Sequence, residues 1–250
     1  MVRNSKILVV GGTGFIGSNL ILELIAKGNK VISLSKDSTN KNRIKKVEYI
    51  FHDLINPLKK EKLNLFSGVE YVINCSGYID HRSFLDGGKE IFTQHFEILY
   101  FLTNLAIEIN AKSFVHIGSS DEYGKNSSPL VESIRESPLS PYALGKLTST
   151  HYLQQLYKQG ILSTIILRPF IVFGKRQSKK RFLPYLIENC LKDQEFKVTK
   201  GEQIRDYLYI KDFNLALIKS LNNVNAYGEV INIASGIPIS IRSIVYTVQE

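Results

Sequence analysis

Tyr142 and Lys146 stand four residues apart in SPYALGK, on a stretch with helical spacing that opens after a proline. Four apart on a helix means one face, one turn apart. A free phenol titrates near about 10, and a neighbouring ammonium favours the phenolate, which brings proton exchange closer to neutral pH. The pair is either ordinary helix surface or a proton-transfer couple. Ser119 and Ser120, in HIGSSDEYG, bring hydroxyls to the end of an apolar strand, and an open parallel sheet binds its ligands at such ends. A serine there can hold a substrate oxygen while Lys146 reaches a cofactor ribose.

A second constellation is GGTGFIG, residues Gly11, Gly12, Thr13, Gly14, Phe15, Ile16 and Gly17. It follows the apolar run KILVV and precedes a helical pattern that ends on Gly28. Glycine tolerates positive φ, and a missing Cβ lets backbone N–H groups approach a pyrophosphate at a helix N-terminus. The next strand, Lys30–Ser35, ends without the acidic residue that usually bonds an adenine ribose 2′-hydroxyl. Ser35 and Lys36 stand there, which favours NADP over NAD; Asp37, two residues on, still reaches for the ribose and keeps NAD open. Asp53, in HDL after the third strand, is either an adenine contact or a plain loop aspartate.

The elements that must position these groups alternate. Val47–Phe51, Tyr71–Ser76, Ser113–Ser119 and Ser163–Pro169 read as further buried strands, with helices at Glu90–Ile109 and Tyr142–Lys158 between them. Continuous apolar strands separated by helices predict a parallel sheet covered on both faces. Beyond Phe173 the texture changes to a basic loop and helix, strand-like pieces at Arg205–Phe213 and Glu229–Ser235, and a helix at Asn214–Leu221. We expect a nucleotide-binding domain over residues 1–170 and interleaved substrate-binding elements over 171–250. The final pattern lacks a closing cap, so that lobe is expected to be incomplete.

Bulk properties exclude several classes. The chain has 250 residues, 44% apolar and 22% charged, enough to bury a sizeable core. The net charge of +9 comes from scattered groups, such as Lys41, Arg43, Lys45 and Lys46, and not from a basic tail, so nucleic acid is not the expected partner. Two distant cysteines, Cys75 and Cys190, indicate neither a disulfide framework nor a metal site. With no membrane-length apolar run and no signal-peptide core, a cytoplasmic protein is expected.

Taken in order, GGTGFIG, HDL, NCSG, GSSDEYG, SPYALGK, LRPFIVFG and RDYLYIKD resemble the motifs of the extended short-chain dehydrogenase/reductase family, the NAD(P)-dependent nucleotide-sugar epimerases, dehydratases and reductases. The resemblance implies a Rossmann-type doubly wound α/β fold with a small C-terminal lobe, a nucleotide-sugar substrate and a homodimer. It implies Tyr142 as acid/base with Lys146 as its partner, Ser119 at the sugar oxygen with Ser120 beside it, and Asp121 where dehydratases carry a proton-removing glutamate. Leu54, Cys75, Ser76, Gly77 and Pro169 would line the cofactor cleft, and Arg176 and Arg205 would contact the substrate phosphates. Departures are Ile171 in place of an asparagine, Glu122 in place of an apolar residue before Tyr123-Gly124, and Ser35 in place of an acid. The missing acid at Ser35 favours NADPH-dependent reduction of a 4-keto sugar. A 4-epimerase or 4,6-dehydratase recycling NAD, and a non-catalytic dinucleotide- or RNA-binding protein on the same fold, are the rival expectations. The Asp80–Ser83 loop lies either near the substrate or in solvent, and His116 reads as a core histidine.

Overall fold

The computed structural model describes residues 2–36, 43–56 and 58–250; the readings placed on Asp37 and Lys41 lie outside the described residues. The chain opens with β1 (Lys6–Val10), α1 (Phe15–Ala26), β2 (Lys30–Ser35) and β3 (Glu48–Phe51). Then come β4 (Tyr71–Asn74), α2 (Gly88–Glu108), β5 (Ser113–Ile117), α3 (Pro141–Lys158), β6 (Thr164–Pro169) and β7 (Ile171–Phe173). The remainder is α4 (Phe182–Leu191), β8 (Ile204–Tyr209), α5 (Ile210–Ser220), β9 (Val230–Ile233), β10 (Pro238–Ser240) and α6 (Ile241–Gln249).

Seven strands form one sheet in the order β3-β2-β1-β4-β5-β6-β9, every pairing parallel. Both faces are covered, which is why β1, β4 and β5 run as uninterrupted apolar segments. Leu20, Ile21 and Leu24 of α1, with Phe213 and Leu217 of α5, pack one face; Leu99 and Leu102 of α2, with Leu153 of α3, pack the other. Strand order reverses between β1 and β4, so their carboxyl ends part to leave a crevice, the place where such sheets bind nucleotides. This is the Rossmann-type doubly wound sheet expected above.

The segment after residue 170 divides between two sheets. Its α5 and β9 complete the large one, while β7, β8 and β10 form a three-stranded sheet in the order β10-β8-β7. There α4 and α6 bury Leu186, Ile241, Ile244 and Val245 together. One expectation is corrected: the strand predicted to run from Arg205 to Phe213 stops at Tyr209, and α5 begins at Ile210. Ile210, Phe213, Asn214, Leu217 and Ile218 all lie buried at helical spacing, so packing against the sheet overrides the alternating Tyr-Leu-Tyr pattern that precedes them.

Candidate active site

The glycine turn joins β1 to α1 and its geometry explains each glycine that matters. Gly11 has φ +76°, and a Cβ there would lie 2.9 Å from the Cys75 carbonyl oxygen. The turns after β1 and β4 therefore touch across the crevice. A Cβ on Gly17 would strike the Gly11 carbonyl, and one on Gly12 would strike the Ser33 hydroxyl. Gly14 differs, for it is exposed and its Cβ would meet only the Gly11 carbonyl at 3.2 Å. Gly14 also caps α1 without a side-chain hydrogen bond, and the first turn, which holds Phe15, Ile16 and Gly17, contains no acid. Thr13 is buried beside them. The exposed turn at Gly14 and the positive helix end together fit a diphosphate.

At the end of β2, Ser35 is buried with its hydroxyl 3.2 Å from that of Ser33, and Lys36 lies 3.3 Å from Asp53 in an exposed ion pair. Leu54 is buried in the core beside it. Asn74 ends β4 and shapes the following turn: its Oδ1 accepts from the Ser76 N–H at 3.0 Å and from the Ser76 hydroxyl, while its Nδ2 bonds His116 Nδ1 at 3.1 Å. Gly77, at φ +128°, stands where a Cβ would crowd His95 and come within 3.6 Å of Lys146 Nζ. Desolvation pushes the Cys75 thiol up to about 12, so it stays protonated. Pro169 closes β6, buried, at the same edge of the sheet.

The proton-transfer candidates converge across the crevice. Ser140 caps α3, its hydroxyl accepting from the Ala143 N–H at 3.1 Å, and Pro141 takes the first helical position. Tyr142, Lys146, Ser149 and Thr150 then fall on the buried face of α3, so Tyr142 and Lys146 are not helix surface. The Ser119 side chain lies near enough to the Tyr142 phenol to act on its ionisation. Burial pushes that phenol above its ordinary value, the nearby Ser119 side chain opposes the shift, and the Asp121 and Glu122 carboxylates add to it. Lys146 Nζ donates to the Ile117 carbonyl at 2.8 Å, and burial brings its pKa down to about 8 against the opposing pull of Glu122.

Three neighbours were not singled out from the sequence as site residues. His95 of α2 lies edge-on to the Tyr142 ring at 5.2 Å and its pKa is pushed down to about 4, by burial first and Lys146 second. His81 stands edge-on from the other side at 5.6 Å, with Nε2 3.8 Å from Asp121, which brings the Asp80–Ser83 loop to the site. Arg181, at the start of α4, is the basic-loop cation whose charge reaches Tyr142. A helix-spaced histidine or a loop arginine has no local signature that separates it from surface.

Ser119 also caps the short 3-10 turn Ser120–Tyr123. Asp121 N–H donates to its hydroxyl at 3.1 Å, and Ser119 N–H donates to Glu122 Oε1 at 2.8 Å. Tyr123 extends the support, its hydroxyl donating at 2.8 Å to Asn232 Oδ1 on β9. Asn232 in turn gives its backbone N–H to Glu132 and its side-chain amide to the Leu130 carbonyl. The substrate-side arginines lie apart from this cluster. Arg176 is exposed at φ +69° and lines a groove of about 670 Å³ between the Phe173–Gln177 loop and α4. Arg205 is exposed on β8 and donates to the Ile204 carbonyl. Among the described residues neither bonds the Tyr142 cluster.

Comparison with known proteins follows this geometry. Residues 7–234 match the model described as the NAD dependent epimerase/dehydratase family. A protein of Methanocaldococcus jannaschii named "Putative UDP-glucose 4-epimerase" is 31% identical over 95% of this chain and 79% of its own length. The UDP-N-acetylglucosamine 4-epimerase of Methanobrevibacter ruminantium, solved with UDP-N-acetylmuramic acid, superposes with a TM-score of 0.86 at 27% identity, covering 98% of this chain and 81% of that one. The UDP-glucuronic acid 4-epimerase of Bacillus cereus, solved with its sugar nucleotide and NAD, gives 0.86 at 27% over 98% and 82%. With a crevice that fits a dinucleotide and relatives that align along nearly its whole length, this chain belongs to the NAD-dependent epimerase/dehydratase family, the nucleotide-sugar enzymes of the extended short-chain dehydrogenase/reductase group.

Proposed function

We propose that this enzyme moves a hydride between the nicotinamide cofactor and C4 of a nucleotide-activated hexose, with Tyr142 exchanging the proton of the C4 oxygen. The observation that carries the reading is that Tyr142 and Lys146 share the buried face of α3, Lys146 being anchored at the end of β5 next to the turn that Ser119 caps. Ser119 holds the sugar oxygen at the phenol. Tyr142 gives that oxygen its proton on reduction and takes it on oxidation. Lys146, anchored to Ile117, keeps an ammonium beside the cofactor ribose and leans on Glu122 to stay charged. The nicotinamide, when bound, supplies or accepts the hydride. Arg176 and Arg205 meet the substrate diphosphate, where guanidinium geometry suits paired oxygens.

The net reaction we favour is NADPH-dependent reduction of a 4-keto sugar, because β2 ends in Ser35, with Lys36 next, where an acid against a 2′-phosphate would stand. A second reading, 4-epimerisation or 4,6-dehydration with recycled NAD, draws on the epimerase and dehydratase names among the relatives and on Asp121 in the cleft. Turnover with a 4-keto-6-deoxy nucleotide sugar separates them. Consumption of one NADPH per sugar, faster than with NADH, is expected. Sugar interconversion with no net cofactor consumption would sink reduction in favour of the second reading.

Two further points complete the proposal. Tyr100 is half-exposed on α2 beside Tyr152 of α3, and this aromatic strip is where two copies would pair as a homodimer, which sedimentation tests. Both cysteines are free, as in a reducing compartment, so we place the enzyme in the cytoplasm, which cell fractionation tests.

A further inference from the structure

Glu122 sits where an apolar side chain would suit: it is fully buried. Its carboxylate instead takes three hydrogen bonds and one further ion-pair contact. Oε1 accepts from the Ser119 N–H at 2.8 Å. Oε2 accepts from the Thr150 hydroxyl at 2.8 Å and from Arg168 Nε at 2.9 Å, and Arg168 Nη2 lies 2.7 Å from it in the ion pair. The donors come from three elements: the turn after β5, α3 two helical turns beyond Tyr142, and β6. Arg168, itself fully buried, also grips Glu136 at 2.8 Å in the loop that leads into α3. A buried carboxylate without such donors would be expelled or neutralised, so the network is fitted to the charge and not only to the volume.

We propose that Glu122 is a positioning residue for the reaction, its carboxylate fixing the Ser119 hydroxyl against the Tyr142 phenol and setting the charge around both; this rests on the proton-transfer reading of Tyr142 above. The placement follows from the bonds. Ser119 is held at its N–H by Glu122 and at its hydroxyl by the Asp121 N–H, while Thr150 ties the helix bearing Tyr142 to the same carboxylate. The charge follows from the neighbours. Those facing Glu122 are Arg168 of β6, Glu136 of the preceding loop, Tyr142 and Lys146 of α3, and Asp121 and Tyr123 of its own turn. Its carboxylate raises Tyr142 and Lys146 alike, so removing the charge lowers both. A glutamine cannot substitute, because all four partners donate and its NH₂ would face a donor.

The test compares wild type, Glu122→Gln and Thr150→Val in cofactor affinity, kcat, KM and the titration of the Lys146 side-chain carbon by NMR. Glu122→Gln is expected to hold cofactor affinity and sugar KM within about threefold, to lower kcat about a hundredfold, and to drop the Lys146 midpoint by about one pH unit. Thr150→Val keeps the charge, so the midpoint stays while kcat falls about fivefold from the lost hydrogen bond. An unmoved midpoint in Glu122→Gln, or kcat and cofactor affinity falling in parallel, overturns the proposal. Should Glu122→Gln not fold, Thr150→Val decides, and an unchanged kcat there overturns it. Should wild type turn over no nucleotide sugar, the proton-transfer reading fails, and the Lys146 midpoint alone decides whether Glu122 sets the charge.

Discussion

Replacing Lys146 with methionine exposes the cost of burying an ammonium in a form that can be measured. Burial lowers Lys146 from 10.5 to about 8 in the folded chain. The difference of about 2.5 pH units, at about 1.36 kcal/mol each, is about 3 kcal/mol of destabilisation carried by the charged form. The sign is set by proton counting. Below pH 8 both folded and unfolded chains hold the proton, and the whole cost is present. Between about 8 and 10.5 the unfolded chain binds more protons than the folded one, so stability rises with pH. Above 10.5 the lysine is neutral in both states and the cost is gone. The stability of wild type relative to Lys146→Met should therefore rise by about 3 kcal/mol from neutral pH to about 10.5. The bond to the Ile117 carbonyl, available to the neutral amine as well, adds a nearly constant offset, so the change with pH is the quantity to read. Tyr142, pushed further up, and Cys75, at about 12, stay protonated in the folded chain but titrate in the unfolded one, a contribution common to both proteins that drops out of the difference. Urea unfolding of both proteins at closely spaced pH values measures it. A relative stability that stays flat within about 1 kcal/mol, or that falls with pH, would refute the reasoning.

Two more predictions concern the phenol and the glycine turn. Tyr142→Phe should lower kcat by about two to four orders of magnitude with cofactor affinity unchanged, measured by steady-state kinetics and cofactor fluorescence; near-wild-type kcat would remove the phenol from the chemistry. Gly14→Ala should change unfolding free energy by about 1 kcal/mol or less, because φ is −76° and the new methyl meets only the Gly11 carbonyl oxygen at 3.2 Å, yet it should weaken the cofactor about tenfold or more by obstructing the diphosphate. Gly17→Ala is the contrast, since its methyl meets the Gly11 backbone and should destabilise the fold itself in calorimetry.

The fold was legible where strands are buried on both faces. β1 and β2 have the predicted bounds because their apolar runs have no competing reading, and turn glycines frame them. β4 and β5 end two residues earlier than predicted, since Cys75–Ser76 and Gly118–Ser119 leave the sheet to form the turns of the site. The residue types at the site were legible too, but not their electrostatics. Spacing alone argued that Lys146 lowers the Tyr142 phenol; in the fold Nζ is turned to Ile117, and burial drives the phenol the other way. Likewise Glu122 read as a packing change, because its Arg168 partner stands 46 residues further along the chain. Contacts at such separations leave no local pattern.

The grip of Asn232 on Tyr123 spans 109 positions of the chain. Synthesis runs from the amino end, so the segment bearing Ser119, Tyr142 and Lys146 leaves the ribosome well before the strand that braces it. Until Asn232 emerges, Leu130, Glu132 and Tyr123 lack their shared anchor, and the sheet lacks its last member. The nascent protein therefore acquires a braced cleft only once Asn232 has been made, and a message broken shortly before that codon yields a chain with its chemistry encoded and its brace missing.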